Sequence, residues 1–327
     1  MKHSLLELLA CPDCGAAIVL EAAERDGDEV VSGELRCSAC PGRWPIQRGI
    51  PRFVGALSPE EMRTAESFGY AWTAFSQDEL TYEGQFLDWI APVDREAFRD
   101  KVVLDAGCGK GRHLRNAARF GARHAVGVDL SRAVEVAYKN TRELANAHVI
   151  QGSIERLPLR AAFDYAYSLG VVHHLPDPAR GVRSIASRVR PGGSLSLWVY
   201  GRENNGWIVW LVDPVRTLVT SRLPFGVLRA FSRILGLQLW LVLKLVYAPL
   251  GPSGISRRLF YGAYLTYISG MSYTEVCSIV FDHLVAPIAV YLRRDEARAL
   301  VPGEDFSEVS LAWHNENSWR LLSKKRA

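Results

Sequence analysis

Short apolar runs recur through the middle of the chain: Val102-Val103-Leu104, Ala125-Val126-Gly127-Val128, Val149-Ile150, Phe163 to Leu169 and Leu195 to Val199. Each is too short for a helix and is bounded by polar or glycine-bearing segments, which predicts buried parallel strands alternating with helices in an α/β domain. Nearer the C-terminus, Ser307 to Trp313 and Trp319 to Leu322 flank an Asn315-Glu316-Asn317-Ser318 turn and predict a hairpin, preceded by a helix over Asp295 to Leu300. Upstream, Ser58-Pro59-Glu60-Glu61 starts a helix with a serine cap, a proline at the first helical position and acids in the first turn.

The pattern changes after the polar stretch Gly201 to Trp207. From Pro214 to Gly262 the chain has no Asp or Glu, while Arg216, Arg222, Arg229, Arg233, Lys244, Arg257 and Arg258 are spread among apolar residues. Val227, Leu228, Phe231, Ile234 and Leu235 recur at helical spacing and predict an amphipathic helix with Arg229, Ser232 and Arg233 on its other face. A second helix, Ile234 to Ala248, is apolar almost all round and stops at Pro249-Leu250-Gly251-Pro252. Its length is at the edge of a membrane span. The expected role is a lid or an interfacial helix, with burial in the body or in a dimer as the alternative.

The chain has 327 residues, more than one typical domain, so a core with additions is expected. A net charge of +4 is too small to argue for nucleic acid on its own. The segment Met1 to Glu7 lacks the apolar core and cleavage site of a signal peptide, which predicts a cytoplasmic, reducing setting. Four of the six cysteines form two pairs, Cys11-Pro12-Asp13-Cys14 and Cys37-Ser38-Ala39-Cys40. That spacing lets two thiolates from each knuckle meet one ion, and four thiolates make a closed, structural Zn²⁺ site. Cys108 and Cys277 lie outside the pairs and are expected to pack.

The first strand ends in Asp105 and runs into Gly107, Gly109 and Gly111 at alternate positions, and the second ends in Asp129, 22 residues after Gly107. A dinucleotide-binding redox fold would require the third glycine one residue later. This stretch, with the loops Gly152-Ser153-Ile154 and His173-His174-Leu175 and the turn Arg190-Pro191-Gly192-Gly193, resembles the class I S-adenosylmethionine (SAM)-dependent methyltransferases over about Lys101 to Gly201. The resemblance implies a Rossmann-like seven-stranded sheet, with the C-terminal hairpin supplying the last two strands. It also implies SAM as cofactor, the glycine loop with Asp105 under its methionine part, and Asp129 on its ribose. Leu130, Ile154 and Leu169 would flank the ligand. Ser153 stands where many members carry an adenine-binding Asp. The first 55 residues or so, including Leu5 to Pro12 and Arg43 to Phe53, resemble the small zinc-ribbon proteins that activate tRNA, rRNA and release-factor methyltransferases.

His173 and His174 follow the fourth strand at the edge where open α/β sheets bind ligands, and a histidine there can act as general base. Asp282 and His283 are acceptor-side candidates by resemblance to small-molecule methyltransferases. Arg112, on the first turn of a helix, is placed to pair with the methionine carboxylate of SAM. Tyr70, Trp72 and Tyr82 are candidates for closing over the sulfonium, whose charge favours π faces.

The expected organisation is a zinc ribbon over 1–56, a helical cap over 57–100, the SAM-binding core over 101–205, the basic apolar insertion over 206–272, and completion of the sheet over 273–327. The favoured function is methyl transfer to an apolar or amphiphilic small molecule such as a lipid, quinone precursor or secondary metabolite. An RNA methyltransferase using the ribbon and the basic insertion ranks second, and a non-catalytic scaffold third. The partners that follow are a small-molecule acceptor, and a peripheral membrane contact or a homodimer through the insertion, with nucleic acid ranked below them.

Overall fold

The strand Val102–Ala106, named β5 below, is buried at every position, as a strand covered by helices on both faces must be. The computed structural model describes residues 1–22, 24–75 and 82–327. Among these, eleven strands make one sheet: β1 (Ile18–Ala22), β2 (Gly33–Cys37), β3 (Arg43–Gln47), β4 (Ile50–Phe53), β5 (Val102–Ala106), β6 (His124–Asp129), β7 (Ala147–Gly152), β8 (Phe163–Leu169), β9 (Val189–Tyr200), β10 (Phe306–His314) and β11 (Ser318–Lys325). Their order is β1-β2-β3-β4-β7-β6-β5-β8-β9-β11-β10. From β7 to β9 the pairs are parallel, and β11 and β10 close that edge antiparallel. Taken alone, those seven strands run third, second, first, fourth, fifth, seventh, sixth, the class I methyltransferase order.

The N-terminal segment is built into this sheet. Strand β4 pairs parallel with β7 through Arg52↔Gln151 and Phe53↔Gly152, so the four antiparallel ribbon strands cover what would be an open edge. Arg52 locks the joint, donating to Gln151 Oε1 at 2.6 Å and to Glu135 at 2.5 Å. The buried amino group of Met1 donates to Val30 O at 2.6 Å and ties the chain start to the ribbon.

Helix α1 (Pro59–Ala74) starts with the expected capping box, in which Ser58 and Glu61 satisfy each other's backbone N–H. With α2 (Tyr82–Ile90) it lies over the carboxyl end of the sheet. Helices α3 (Arg112–Arg119), α4 (Val134–Thr141) and α5 (Pro178–Arg188) fill the crossovers.

After β9 come α6 (Asp213–Leu218), the long α7 (Phe225–Val242, continuing without a break to Leu250), α8 (Gly262–Ile268), α9 (Tyr273–Val285) and α10 (Arg294–Ala299). Two expectations change here. The two helices read from the pattern are one. Its packed side also cuts across the two predicted faces: Leu228 of the apolar face is buried with Ser232 of the other and with Gly236 and Leu243, while Val227, Phe231, Ile234 and Leu235 are exposed. The reason is size. A Cβ on Gly236 would lie 2.6 Å from Cys277 Sγ, so small side chains on α7 let α9 approach to backbone contact. Helix α9 consequently packs with the insertion, and the sheet resumes only beyond Leu292, which donates to Tyr200 O at 3.0 Å.

Candidate functional site

The sheet reverses direction of travel at β5, which has β6 on one side and β8 on the other, and the crevice beyond their carboxyl ends is where open α/β folds hold ligands. A cavity of about 250 Å³ opens there. Gly107 has φ +90°, and a Cβ on it would fall 2.5 Å from Val171, so glycine alone leaves the cavity floor clear. Asp129, at the end of β6, accepts from the Gly109 N–H at 2.9 Å and from the Ser131 N–H and hydroxyl at 2.9 and 2.7 Å. These bonds aim its carboxylate into the cavity, where it keeps lone pairs for hydroxyl donors.

Leu130, Ser153, Ile154 and Leu169 line the same side, with Gly107, Gly109 and Asp129. Ser153 spends part of its capacity as a cap, accepting from the Glu155 N–H at 3.2 Å. Arg112 places its guanidinium over the rings of Tyr82, Trp89 and Trp72, at 4.8, 5.4 and 5.6 Å, and also lines the cavity. A floor that only glycine permits, a fixed carboxylate and a cation among aromatic faces fit SAM: Asp129 would hold its ribose and Arg112 its carboxylate.

Two expected contacts are placed elsewhere. Asp105 lies beneath the floor, facing the Tyr167 hydroxyl, and burial pushes its carboxyl up to about 8. It supports the strand end from below. Tyr70 points away from the cavity and stacks on Phe225 with ring centroids 4.7 Å apart. On a helix, residues two apart are about 200° apart, so the rings that reach the cavity from α1 are Phe68 and Trp72. Tyr82 reaches it from α2 and receives a hydrogen bond from Lys110 at 3.0 Å.

On the far side, the loop after β8 separates the two histidines. His174 lines the cavity, and its Nδ1–H donates to Ile288 O at 2.6 Å, which leaves Nε2 as the acceptor. Burial lowers its pKa to about 4, so the ring is neutral around pH 7. His173 is fully buried against the Tyr200 ring at 4.0 Å, outside the cavity, and packs the loop. Asp282 and His283 project from α9 into the opposite wall. Burial raises Asp282 to about 7 against the pull of Arg112 and Lys110, and burial with nearby Arg216 lowers His283 to about 4. Thus Asp282 is a cavity carboxyl that changes charge near neutral pH, and His174 is a neutral base around pH 7.

Sequence reasoning missed the aromatic wall. Tyr200, Tyr261, Tyr264, Tyr267 and Tyr291 all line the cavity. Three of them, Tyr261, Tyr264 and Tyr267, recur every third residue from the N-cap of α8 almost to its end, a spacing that puts them near one face and was available as a signal. It also missed Arg216, which is 2% exposed, pairs with Asp213 and lies beside Tyr291.

Remote from the cavity, the sulfurs of Cys11, Cys14, Cys37 and Cys40 all lie within 4.8 Å of one another, with Cys11 and Cys40 at 3.6 Å and Cys14 and Cys37 at 3.4 Å. Tetrahedral zinc at Zn–S distances of about 2.3 Å requires sulfurs roughly 3.8 Å apart. The four residues fit Zn²⁺.

Comparison with known proteins gives two family matches: a methyltransferase domain over residues 104–197 and a Trm112p-like protein over residues 2–49. Among curated proteins, the chain is similar to the tRNA U34 carboxymethyltransferase of Shewanella pealeana, 31% identical over 134 residues, covering 35% of this chain and 41% of that protein. It is also similar to the enzyme of the same name from Sodalis glossinidius, 30% identical over 155 residues and 46% of each chain. The chain thus spans less than half the length of these relatives.

Among solved structures it is similar to a complex containing the Haloferax volcanii Trm112 methyltransferase activator, at 23% identity and a TM-score of 0.37, covering 43% of this chain and 61% of that one. Magnesium protoporphyrin IX methyltransferase from Synechocystis with bound SAM matches at 13% identity and a TM-score of 0.46, over 83% and 100%. By its family matches and its own strand order, the chain joins a Trm112p-like zinc-ribbon domain to a methyltransferase domain of the SAM-dependent class I fold.

Proposed function

We propose that this chain is a SAM-dependent methyltransferase acting on RNA, with tRNA as its substrate class. The observation that carries the reading is the likeness of its SAM-binding part to tRNA U34 carboxymethyltransferases, in a chain whose ribbon is Trm112p-like. This corrects the order drawn from the sequence, which put an apolar small-molecule acceptor first and nucleic acid behind it. The apolar insertion drove that ranking, yet it lies outside the residues matched by the family model. A cytoplasmic setting fits the tRNA-modifying relatives, and membrane association is a separate matter of the insertion.

The cavity suits the reading. A base taken out of a stack needs flat apolar walls and a few polar groups at its edge, and the tyrosines with Asp282 and His283 offer both. SAM, when bound, supplies an electrophilic methyl group. Asp129 and the glycine floor orient it, and His174 Nε2 or ionised Asp282 receives the proton that the acceptor gives up.

The test is transfer of label from SAM to unmodified tRNA by the full chain. Transfer should occur and should fall by about tenfold or more in SAM affinity for Asp129→Ala, the cost of losing a hydrogen bond to a charged group. Label appearing in no RNA, with SAM binding intact, would overturn the acceptor class.

A further inference from the structure

From the insertion we infer that the outer face of α7 and its neighbours docks in the surface of an anionic lipid bilayer. Helix α7 runs 26 residues, Phe225 to Leu250, and uses one side, Leu228, Ser232, Gly236 and Leu243, to pack on the body. A surface helix of a water-soluble protein turns polar residues outward. This one turns Phe231, Ile234 and Leu245 outward, with Leu245 73% exposed. The same face character continues beside it: Trp210 is 74% exposed on the turn before α6, and Ile255 and Phe260 are 65% and 63% exposed after α7. Trp207 meets Phe260 edge-on at 5.6 Å and links the two segments. An apolar surface of this extent is covered in the working state of a protein.

Charge selects the cover. Arg222, Arg233, Arg257 and Arg258 are exposed along these segments, and no acid lies between Pro214 and Gly262. A second copy meeting this face about a two-fold axis would set arginines against arginines without an acid from the segment to separate them. Phosphate headgroups supply the missing charge, with acyl chains below for the apolar side chains. A lone membrane crossing is ruled out by packing, because the first part of α7 lies along α9, its continuation at Leu243 and Tyr247 packs with Ile268 of α8, and the outward side alone is available. The helix therefore lies in the plane of the interface.

The inference concerns where the protein sits and is independent of the acceptor, so its test uses neither SAM nor tRNA. The full chain is sedimented with vesicles of phosphatidylcholine and with vesicles of phosphatidylcholine mixed with phosphatidylglycerol. Wild type should pellet with the mixed vesicles. Phe231→Gln, Ile234→Gln and Leu245→Gln together should weaken that binding by more than about tenfold, and Arg222→Gln, Arg233→Gln, Arg257→Gln and Arg258→Gln by about fivefold per arginine on the anionic vesicles alone. All seven side chains are exposed, so retained SAM affinity and unchanged melting will report intact folding. Failure of wild type to bind either vesicle would overturn the inference. So would a vesicle-indifferent dimer that the apolar variant dissociates, or arginine-dependent binding of tRNA by this face without vesicle binding.

Discussion

Replacing Asp282 with asparagine keeps the size of the side chain and removes its ionisation. Burial raises this carboxyl from 3.8 to about 7, so the folded protein holds the proton more tightly than the unfolded chain does. For a raised acid the stability change is negative as pH rises: it begins at the unfolded value, 3.8, and levels off above about 7. With those two values, ionisation costs about 2 kcal/mol at pH 5 and about 4 kcal/mol at pH 8, so wild type should lose roughly 2 to 3 kcal/mol relative to Asp282→Asn over that interval. Urea unfolding of both proteins at the two pH values reads the difference directly. If Asp282 also takes the acceptor's proton, the wild-type transfer rate should rise with pH through about 7, and the variant should be flat and lower by about a hundredfold. Parallel stability curves would refute the burial argument, and parallel rate curves the proton-acceptor role.

Cys37→Ser should reduce bound zinc from one ion per chain to none, since three thiolates leave the tetrahedron open, and metal analysis of protein purified without chelator checks it. Because β4 pairs with β7 at Phe53↔Gly152, next to the cavity residue Ser153, the same variant should weaken SAM binding several-fold in calorimetry. Gly236→Val should destabilise the fold by about 1 to 3 kcal/mol, because its Cβ would meet Cys277 at 2.6 Å, and a thermal melt measures the loss.

The core of the fold was legible because its physics is local. An apolar run that ends in Asp129 after a glycine turn admits few structures, and the strands, the capped α1 and the C-terminal hairpin all fall where the pattern puts them. The four cysteines were equally readable, since two knuckles at fixed spacing converge by geometry. Site residues depended on more than spacing. Asp129, Leu130, Ser153, Ile154 and Leu169 are carried to the cavity by strand ends, whereas Tyr70 misses it through a helical rotation that the position of the helix decides. Of the adjacent histidines, only His174 enters the cavity, because Ile288 O holds it there, and that carbonyl is 114 residues away in sequence.

The insertion shows the limit of reading a face from hydrophobicity. Where both faces of a helix are apolar, periodicity cannot say which is buried, and the tie is broken by how closely another helix can approach. At the close approach to α9 that criterion is side-chain size: Gly236 faces Cys277 and Ser232 is buried one turn before it, and Phe231, Ile234 and Leu245 are left outside although they are more apolar. Burial of the larger residues would recover more hydrophobic energy per side chain, roughly 25 cal/mol per Å². Burying them against α9 would instead hold the two backbones apart and forfeit close packing along the helix. A sequence that keeps Phe231, Ile234 and Leu245 on the open face gains their burial only against something external to the fold. The exposed arginines set among them make an anionic surface the complementary one.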